Sequence, residues 1–71
     1  MAIKIIINDI DGSTFHCVTS GTVDEVRAEY GADHPVQSLI TDAIAHGQAC
    51  ATYEIDGDEY TTKVIAKDGD E

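Results

Sequence analysis

The tripeptide Ile-Asp-Gly occurs twice in the chain, at residues 10–12 and 55–57, and each copy lies between two runs rich in β-forming residues. Aspartate and glycine accept the backbone angles of tight turns, so an Asp-Gly pair between such runs is a strong hairpin signal. Strands are therefore predicted around both copies, over residues 3–8, 13–19, 48–53 and 59–66. This repeated turn signal constrains the fold more than any other feature of the sequence.

A first helix is predicted directly after the first hairpin. Thr22 is followed three residues later by Glu25, which is the spacing of a capping box. Apolar side chains then recur on one helical face, at Val23, Val26 and Tyr30. Gly31 is expected to end the helix in a left-handed conformation.

A second helix is predicted before the second hairpin. Pro35 suits a first helical position, with Asp33 or His34 as the capping residue, and Gly47 is expected to end the helix. Its buried stripe is predicted at Val36, Leu39, Ile40, Ala43 and Ile44.

The element order ββααββ predicts an α+β fold. A four-stranded antiparallel sheet is formed by the two β-hairpins, and the two helices inserted between them pack on one face. Strand orders 2-1-4-3 and 1-2-3-4 both satisfy the expected strand directions. A single domain is predicted over residues 1–67, followed by a flexible acidic tail over residues 68–71, because a chain of 71 residues has room for only one core. The predicted core comprises Ile3, Ile5, Ile7, Phe15, Val26, Leu39, Ile40, Ile44 and Val64.

The apolar pattern predicts a bulged turn for the first hairpin. Pairing Ile7 with Phe15, and Ile5 with Cys17, brings apolar side chains together on one face of the sheet. That register leaves a three-residue loop, residues 10–12, whose glycine forms a bulge. Cys17 is accordingly interpreted as a small core residue.

The second hairpin is expected to close differently. Pairing Tyr53 with Tyr60 leaves a two-residue loop at residues 56–57, which suits a type I′ turn. The same register puts Glu54 directly opposite Glu59, a like-charge pair that destabilises a sheet. Because the helices return the chain to the end of the sheet from which it left, both hairpin tips should lie at the same end.

Net charge limits the classes of partner. Fourteen Asp and Glu against four Lys and Arg give a formal charge of −10. Direct binding to nucleic acid or to an anionic membrane is not expected, because phosphate contacts require Lys and Arg. Basic protein surfaces are the natural partners of such a chain. Solubility alone is the other explanation for this acidity.

The segment Asp9-Ile10-Asp11-Gly12 after an apolar strand resembles the first motif of the haloacid dehalogenase phosphatases. The resemblance implies a nucleophile at Asp9 and an acid–base residue at Asp11. That family also requires a doubly wound parallel sheet, a downstream lysine and further carboxylates for magnesium. The segment that follows here is predicted to be a strand, so the motif lacks its structural context and no enzyme is predicted.

Other sites of chemistry are not predicted. Counting back from Gly12 or Gly57 puts Ile7 or Thr52 where a calcium-binding EF-hand loop needs a carboxylate. His16 and Cys17 are neighbours on a strand and point to opposite faces, so they form no catalytic dyad. No zinc-ligand spacing, phosphate-binding loop or cofactor is expected.

The sequence favours a non-enzymatic, acidic protein-binding module. The specific hypothesis is an inhibitor that covers the basic surface of a nucleic-acid-handling protein, as small acidic phage-encoded anti-defence proteins do. The alternatives are an interaction or antitoxin-like protein that binds through a sheet edge or helix face, and a weak divalent-cation binder. The predicted partner-binding residues are Asp9, Asp11, Asp24, Glu25, Glu29, Asp33, Glu54, Asp56, Asp58 and Glu59.

Cellular context follows from what the sequence lacks. Residues 1–20 have neither a basic start nor a long apolar core, so no secretory signal is predicted. With only two cysteines, a reduced, cytoplasmic protein without a membrane segment is expected. Both a monomer and a dimer paired through strand edges are compatible with the sequence.

Overall fold

A computed structural model describes residues 3–68, apart from the side chain of Asp11. The elements are β1 (Ile3–Asp11), β2 (Thr14–Thr22), α1 (Val23–Ala28), α2 (Val36–His46), β3 (Gln48–Ile55) and β4 (Asp58–Asp68). The predicted order ββααββ and the α+β class are confirmed. β4 includes Asp68, which the sequence had assigned to the tail, and the rest of that tail, residues 69–71, lies outside the described residues.

All four strands form one antiparallel sheet in the order β2-β1-β4-β3, one of the two orders expected. The central strands supply the fully buried side chains of the sheet, Ile5 and Ile7 from β1 and Thr62 and Val64 from β4. Both helices pack on that face, which we call the covered face, and the opposite side of the sheet is the open face. The sheet's part of the core is therefore formed by its two central strands, where burial of these side chains stabilises the fold.

The second hairpin has the predicted register. Tyr53 pairs with Tyr60 and Glu54 with Glu59. Asp56 and Gly57 both have positive φ, 53° and 88°, as the two central residues of a type I′ turn do. The local turn signal was therefore sufficient to set this register.

The first hairpin differs from its prediction. Asp11 pairs with Thr14, so Gly12 and Ser13 form a two-residue turn in which Gly12 has a φ of 69°. The register then shifts between Ile7 and Asn8, and Val18 is the extra residue of a bulge in β2. The chain thus combines a tight turn with a bulge several residues away, whereas we had predicted both features at one three-residue loop.

This register corrects part of the predicted core. Phe15 pairs with Ile10 on the open face and is 44% exposed, and Cys17 is also exposed there. Ile3 and Ile44 are 38% and 40% exposed, and both line an open pocket near the end of α2. The predicted core residues that are buried are Ile5, Ile7, Val26, Leu39, Ile40 and Val64, and they are joined by Val36 and Ala43.

Helix α1 begins as predicted, but its C-terminal carbonyl groups are capped in a different way. Thr22 and Glu25 form both hydrogen bonds of the capping box. Gly31 is not among the glycines of positive φ, so the predicted left-handed end is wrong. The amide Nε2 of Gln37, on α2, donates to the carbonyl oxygens of Arg27 and Gly31, and these contacts satisfy the end of α1. A side chain distant in sequence thus replaces the glycine cap.

The start of α2 fixes the position of His34. Helix α2 begins at Val36, one residue after the predicted position, and Pro35 is its N-cap. The N-cap was predicted at Asp33 or His34, so this position is wrong by one or two residues, but His34 Nδ1 still accepts a hydrogen bond from the Val36 N–H at 3.1 Å. Gly47, with a φ of 97°, ends the helix as predicted. Between residues 3 and 68, neither helix has the length and apolar character needed to cross a membrane.

Candidate functional site

Both hairpin tips lie at one end of the sheet, which we call the tip end. Asp9 on β1 pairs with Thr62 on β4, and this register sets the two turns side by side. Strand alternation places Asp9 and Asp58 on the covered face, and Glu54 and Glu59 opposite each other on the open face. The carboxylates expected to form one group therefore divide between two faces. Asp11 occupies the register position opposite Thr14, and Asp56 lies in the turn.

The acidic residues of the helical segment are spread along the molecule. Glu29 and Asp33 follow α1, in the segment that leads the chain to the tip end. Asp24 and Glu25 lie in the first turn of α1, at the opposite end, beside the end of β2. Glu25 Oε1 accepts the Thr22 N–H at 3.0 Å, so this carboxylate has a structural role in the helix cap. The ten predicted residues thus do not form one compact site.

Positive charge is segregated on the open face of the sheet. By strand alternation Lys4, Lys63 and Lys67 all lie on this face, on the two central strands. The Nζ atom of Lys63 is 5.7 Å from the ring centroid of Phe15, a cation–π contact. The guanidinium of Arg27 donates instead to Gln37 Oε1 and Thr41 Oγ1, which ties it between the helices.

A pocket of about 250 Å³ opens at the tip end on the covered face, beyond the region that the helices cover. Four rings follow one another around it. The ring centroids are 4.9 Å apart for Tyr30 and His34, 5.6 Å for His34 and Tyr53, and 6.0 Å for Tyr53 and Tyr60. Asp9 and two apolar side chains complete the lining. We call this feature the aromatic pocket.

A chain of hydrogen bonds holds the acidic wall of the aromatic pocket. Thr62 Oγ1 donates to Asp9 Oδ1 at 2.9 Å and lies 2.8 Å from the hydroxyl of Tyr53. Because Thr62 has a single hydroxyl proton, which it gives to Asp9, the Tyr53 hydroxyl must donate to Thr62. Thr62 is only 1% exposed, so the network joins the pocket to the core.

The environment of Tyr30 keeps its phenol neutral. Burial raises the pKa of Tyr30 above its ordinary value of 10.0, and the negative charge of Asp9 raises it further, with smaller effects from Tyr53 and Glu29. Both effects disfavour the phenolate. The negative charge at this wall of the pocket therefore resides on carboxylates.

The structure places the phosphatase-like segment, the candidate metal ligands and the two cysteines as follows. The Asp-Ile-Asp-Gly segment enters a hairpin of an antiparallel sheet and is followed by β2, so its likeness to the phosphatases does not extend to the fold. Among the described residues, no three His, Cys, Asp or Glu side chains converge to hold a metal ion. Cys17 and Cys50 are free thiols on the two edge strands.

Comparison with protein families, curated proteins and solved structures finds no match for this chain.

The three tyrosines, none of which was in the predicted core, form most of the aromatic pocket. Tyr30 and Tyr53 pack against the edge of the core, and Tyr60 is 41% exposed. The pairing of Tyr53 with Tyr60 and the common face of Asp9 and Ile7 follow from strand periodicity, so half of the pocket was within reach of the sequence. The approach of Tyr30 and His34 depends on how the helices pack.

Proposed function

We propose that this protein is a non-enzymatic, acidic binding module that covers a basic surface of a nucleic-acid-handling protein, in the manner of phage anti-defence inhibitors. We further propose that it acts in the cytoplasm, where a reducing environment suits two free thiols. Its acidic surface would occupy the groove in which the partner holds the phosphates of DNA or RNA.

The segregation of charge is the observation that carries this proposal. All three lysines lie on the open face, and Arg27 is engaged by Gln37 and Thr41. The surface formed by the helices and the covered side of the tip end thus presents carboxylates without an interspersed lysine. Such a surface steers basic partners and raises the association rate, since complementary fields act before contact.

The rigidity of the scaffold supports the same proposal. Asp56 and Asp58 are held by a two-residue turn and by β4, so binding needs little ordering of the backbone. Pre-organised charges lose less conformational entropy on association than charges on a disordered acidic tail.

Salt-dependent capture tests the proposal. The immobilised protein is exposed to a cell lysate at about 0.1 M and about 0.5 M NaCl, since exposed charges are screened over a shorter distance at high salt. Captured proteins are identified by mass spectrometry and competed with duplex DNA. We expect basic nucleic-acid-binding proteins that are lost at high salt and displaced by DNA.

Two matched triple variants separate the acidic surface from general charge effects. Neutralising Glu29, Asp56 and Asp58 as Gln, Asn and Asn should weaken capture and flatten its salt dependence. Replacing Lys4, Lys63 and Lys67 with Gln should leave capture intact or strengthen it. Capture that survives high salt and the acidic triple variant would refute the proposal.

Binding through a sheet edge is the second candidate function, as expected for a small interaction or antitoxin-like protein. It is favoured by the exposure of Phe15 and Val18, 44% and 49%, on the edge strand β2. Edge strands present backbone groups that can pair with another strand. Loss of capture in a Phe15→Ser variant, together with no effect of the acidic triple variant, would select this function.

A further inference from the structure

We propose that the aromatic pocket binds an organic cation, namely the ammonium or guanidinium group of a lysine or arginine side chain on a protein partner. The choice of a protein side chain as the source of the cation rests on the proposed function. The affinity of the pocket for the cation rests only on its geometry and charge.

The rings provide the first element of recognition. Tyr30, His34, Tyr53 and Tyr60 form a continuous series, with neighbouring centroids between 4.9 and 6.0 Å apart. A cation within about 6 Å of a ring centroid is attracted by the negative face of the ring. Successive rings are inclined to one another by 56°, 81° and 30°, so they do not form a flat stack, and all four line the same pocket.

The Asp9 carboxylate provides the second element. Its Oδ1 atom accepts the hydroxyl proton of the buried Thr62, which fixes the orientation of the group. Among the described residues, the bond from Thr62 is the one hydrogen bond that the Asp9 side chain makes. Its Oδ2 atom is therefore available to an incoming N–H donor. A fixed carboxylate beside aromatic faces selects a cation that can also donate hydrogen bonds.

The surrounding charges exclude anions and leave the pocket negative. His34 Nδ1 accepts the Val36 N–H, and this bond fixes the orientation of the imidazole ring. Glu29 is close enough to affect the titration of Tyr30, and the chain as a whole carries a formal charge of −10. An anionic ligand would be repelled by the Asp9 carboxylate in the wall of this pocket.

The size of the pocket favours a side-chain group. Pockets for drug-sized ligands occupy roughly 300–1,000 Å³, whereas the aromatic pocket measures about 250 Å³ and is open to solvent. Its apolar lining residues, Val18 and Ile55, are suited to the methylene groups of a lysine or arginine stem. A partner that inserts such a side chain would place its remaining basic residues over the carboxylates of the tip end.

Titration with model compounds, followed by NMR, tests this inference without knowledge of the partner. The probes are the N-acetyl methylamides of lysine and arginine, and the uncharged comparison is the same derivative of norleucine. We expect chemical-shift changes confined to the aromatic pocket and upfield shifts of the probe methylene protons next to the charge. The norleucine derivative should bind about tenfold more weakly, equivalent to about 1.4 kcal/mol.

Variants assign the binding to the pocket. Tyr60→Leu should weaken binding about tenfold and Tyr60→Phe less than about threefold, since phenylalanine keeps the ring face. Asp9→Asn should also weaken binding, and Asp42→Asn, which makes the same charge change on the exposed surface of α2, should not. Tyr60 is 41% exposed, so its substitution should disturb the fold less than Asp9→Asn. The Tyr60 variants therefore keep the test valid if Asp9→Asn does not fold.

Three results would overturn the inference. Equal affinity for the norleucine and lysine derivatives would show an apolar pocket, and shift changes spread over the whole acidic surface would show nonspecific attraction. If tetramethylammonium bound at least about tenfold more tightly than the lysine derivative, the ligand of the pocket would be a free small cation and not a side chain of a protein partner. A failed titration would refute the cation site but not the proposed function, which the capture assay tests separately. A failed capture would refute the proposed function but not a measured affinity of the pocket for cations.

Discussion

Replacing Thr62 with valine removes the hydroxyl group that links the core to the aromatic pocket while keeping the shape of the side chain. The Thr62 hydroxyl donates to Asp9 at 2.9 Å and accepts from Tyr53 at 2.8 Å. A hydrogen bond to a charged group contributes about 1.5–3 kcal/mol and a neutral one about 1 kcal/mol. Asp9 and Tyr53 are both half-buried, so water can partly replace the lost contacts. The added methyl group recovers about 0.8 kcal/mol by its burial.

The net destabilisation expected for Thr62→Val is therefore about 1–2 kcal/mol, out of a total of about 4–11 kcal/mol for a domain of this length. Thermal unfolding followed by circular dichroism should show a Tm lower by about 5–15 °C, since 1 kcal/mol corresponds to about 4–8 °C in a domain of this size.

Thr61→Val is the matched control. Thr61 is the next residue of β4, faces the open side, and has its hydroxyl 2.9 Å from that of Thr52 in an exposed contact. We expect its free energy of unfolding to change by less than about 0.5 kcal/mol.

A double-mutant cycle with Tyr53→Phe then tests the direction of the hydrogen-bond chain. If Tyr53 donates to Thr62, the two substitutions should be non-additive by about 0.5–1 kcal/mol. Additivity, or a Thr62→Val variant as stable as the Thr61→Val control, would refute the proposed network.

Three further predictions concern the helix cap, the core and Tyr30. Gly21→Ala should destabilise by about 1–2 kcal/mol in urea unfolding, because a Cβ atom there would lie 2.7 Å from Glu25 Oε1 and disrupt the capping box. Ile40→Ala should destabilise by about 2–5 kcal/mol and Ile44→Ala by less than about 1 kcal/mol, since Ile40 is fully buried and Ile44 is 40% exposed. Because the pKa of Tyr30 is raised in the folded state, its phenol should ionise above pH 10.0 in an ultraviolet titration. The stability that Tyr30 contributes should be complete below pH 10.0 and be lost as the pH rises through its folded pKa.

Much of the fold was accessible from the sequence because the decisive signals are local. The Asp56-Gly57 turn fixes its own register through two residues of positive φ. The capping box at Thr22 and the glycine at Gly47 mark helix ends through contacts within one turn of the helix. Turn and cap energies depend on neighbouring residues, so they are visible in a short stretch of sequence.

The first hairpin shows where local signals were insufficient. Its apolar pattern favoured pairing Ile7 with Phe15, yet the structure pairs Ile7 with Thr19 and Ile10 with Phe15. A one-residue bulge at Val18 reverses the faces of the β2 side chains that lie between the turn and the bulge, and the pattern of β2 alone does not locate that bulge. The exposure of Phe15 and Cys17 follows from it.

The sequence by itself determined the two hairpins, the two helices and the excess of negative charge. Tertiary structure decided the strand order and the assembly of the aromatic pocket. Tyr30 and His34 lie in the segment between α1 and α2, and hydrogen bonds between Arg27 and Gln37 join the two helices at that segment. Such contacts join residues far apart in the chain, and their geometry is set by the packing of whole elements, which no local pattern specifies.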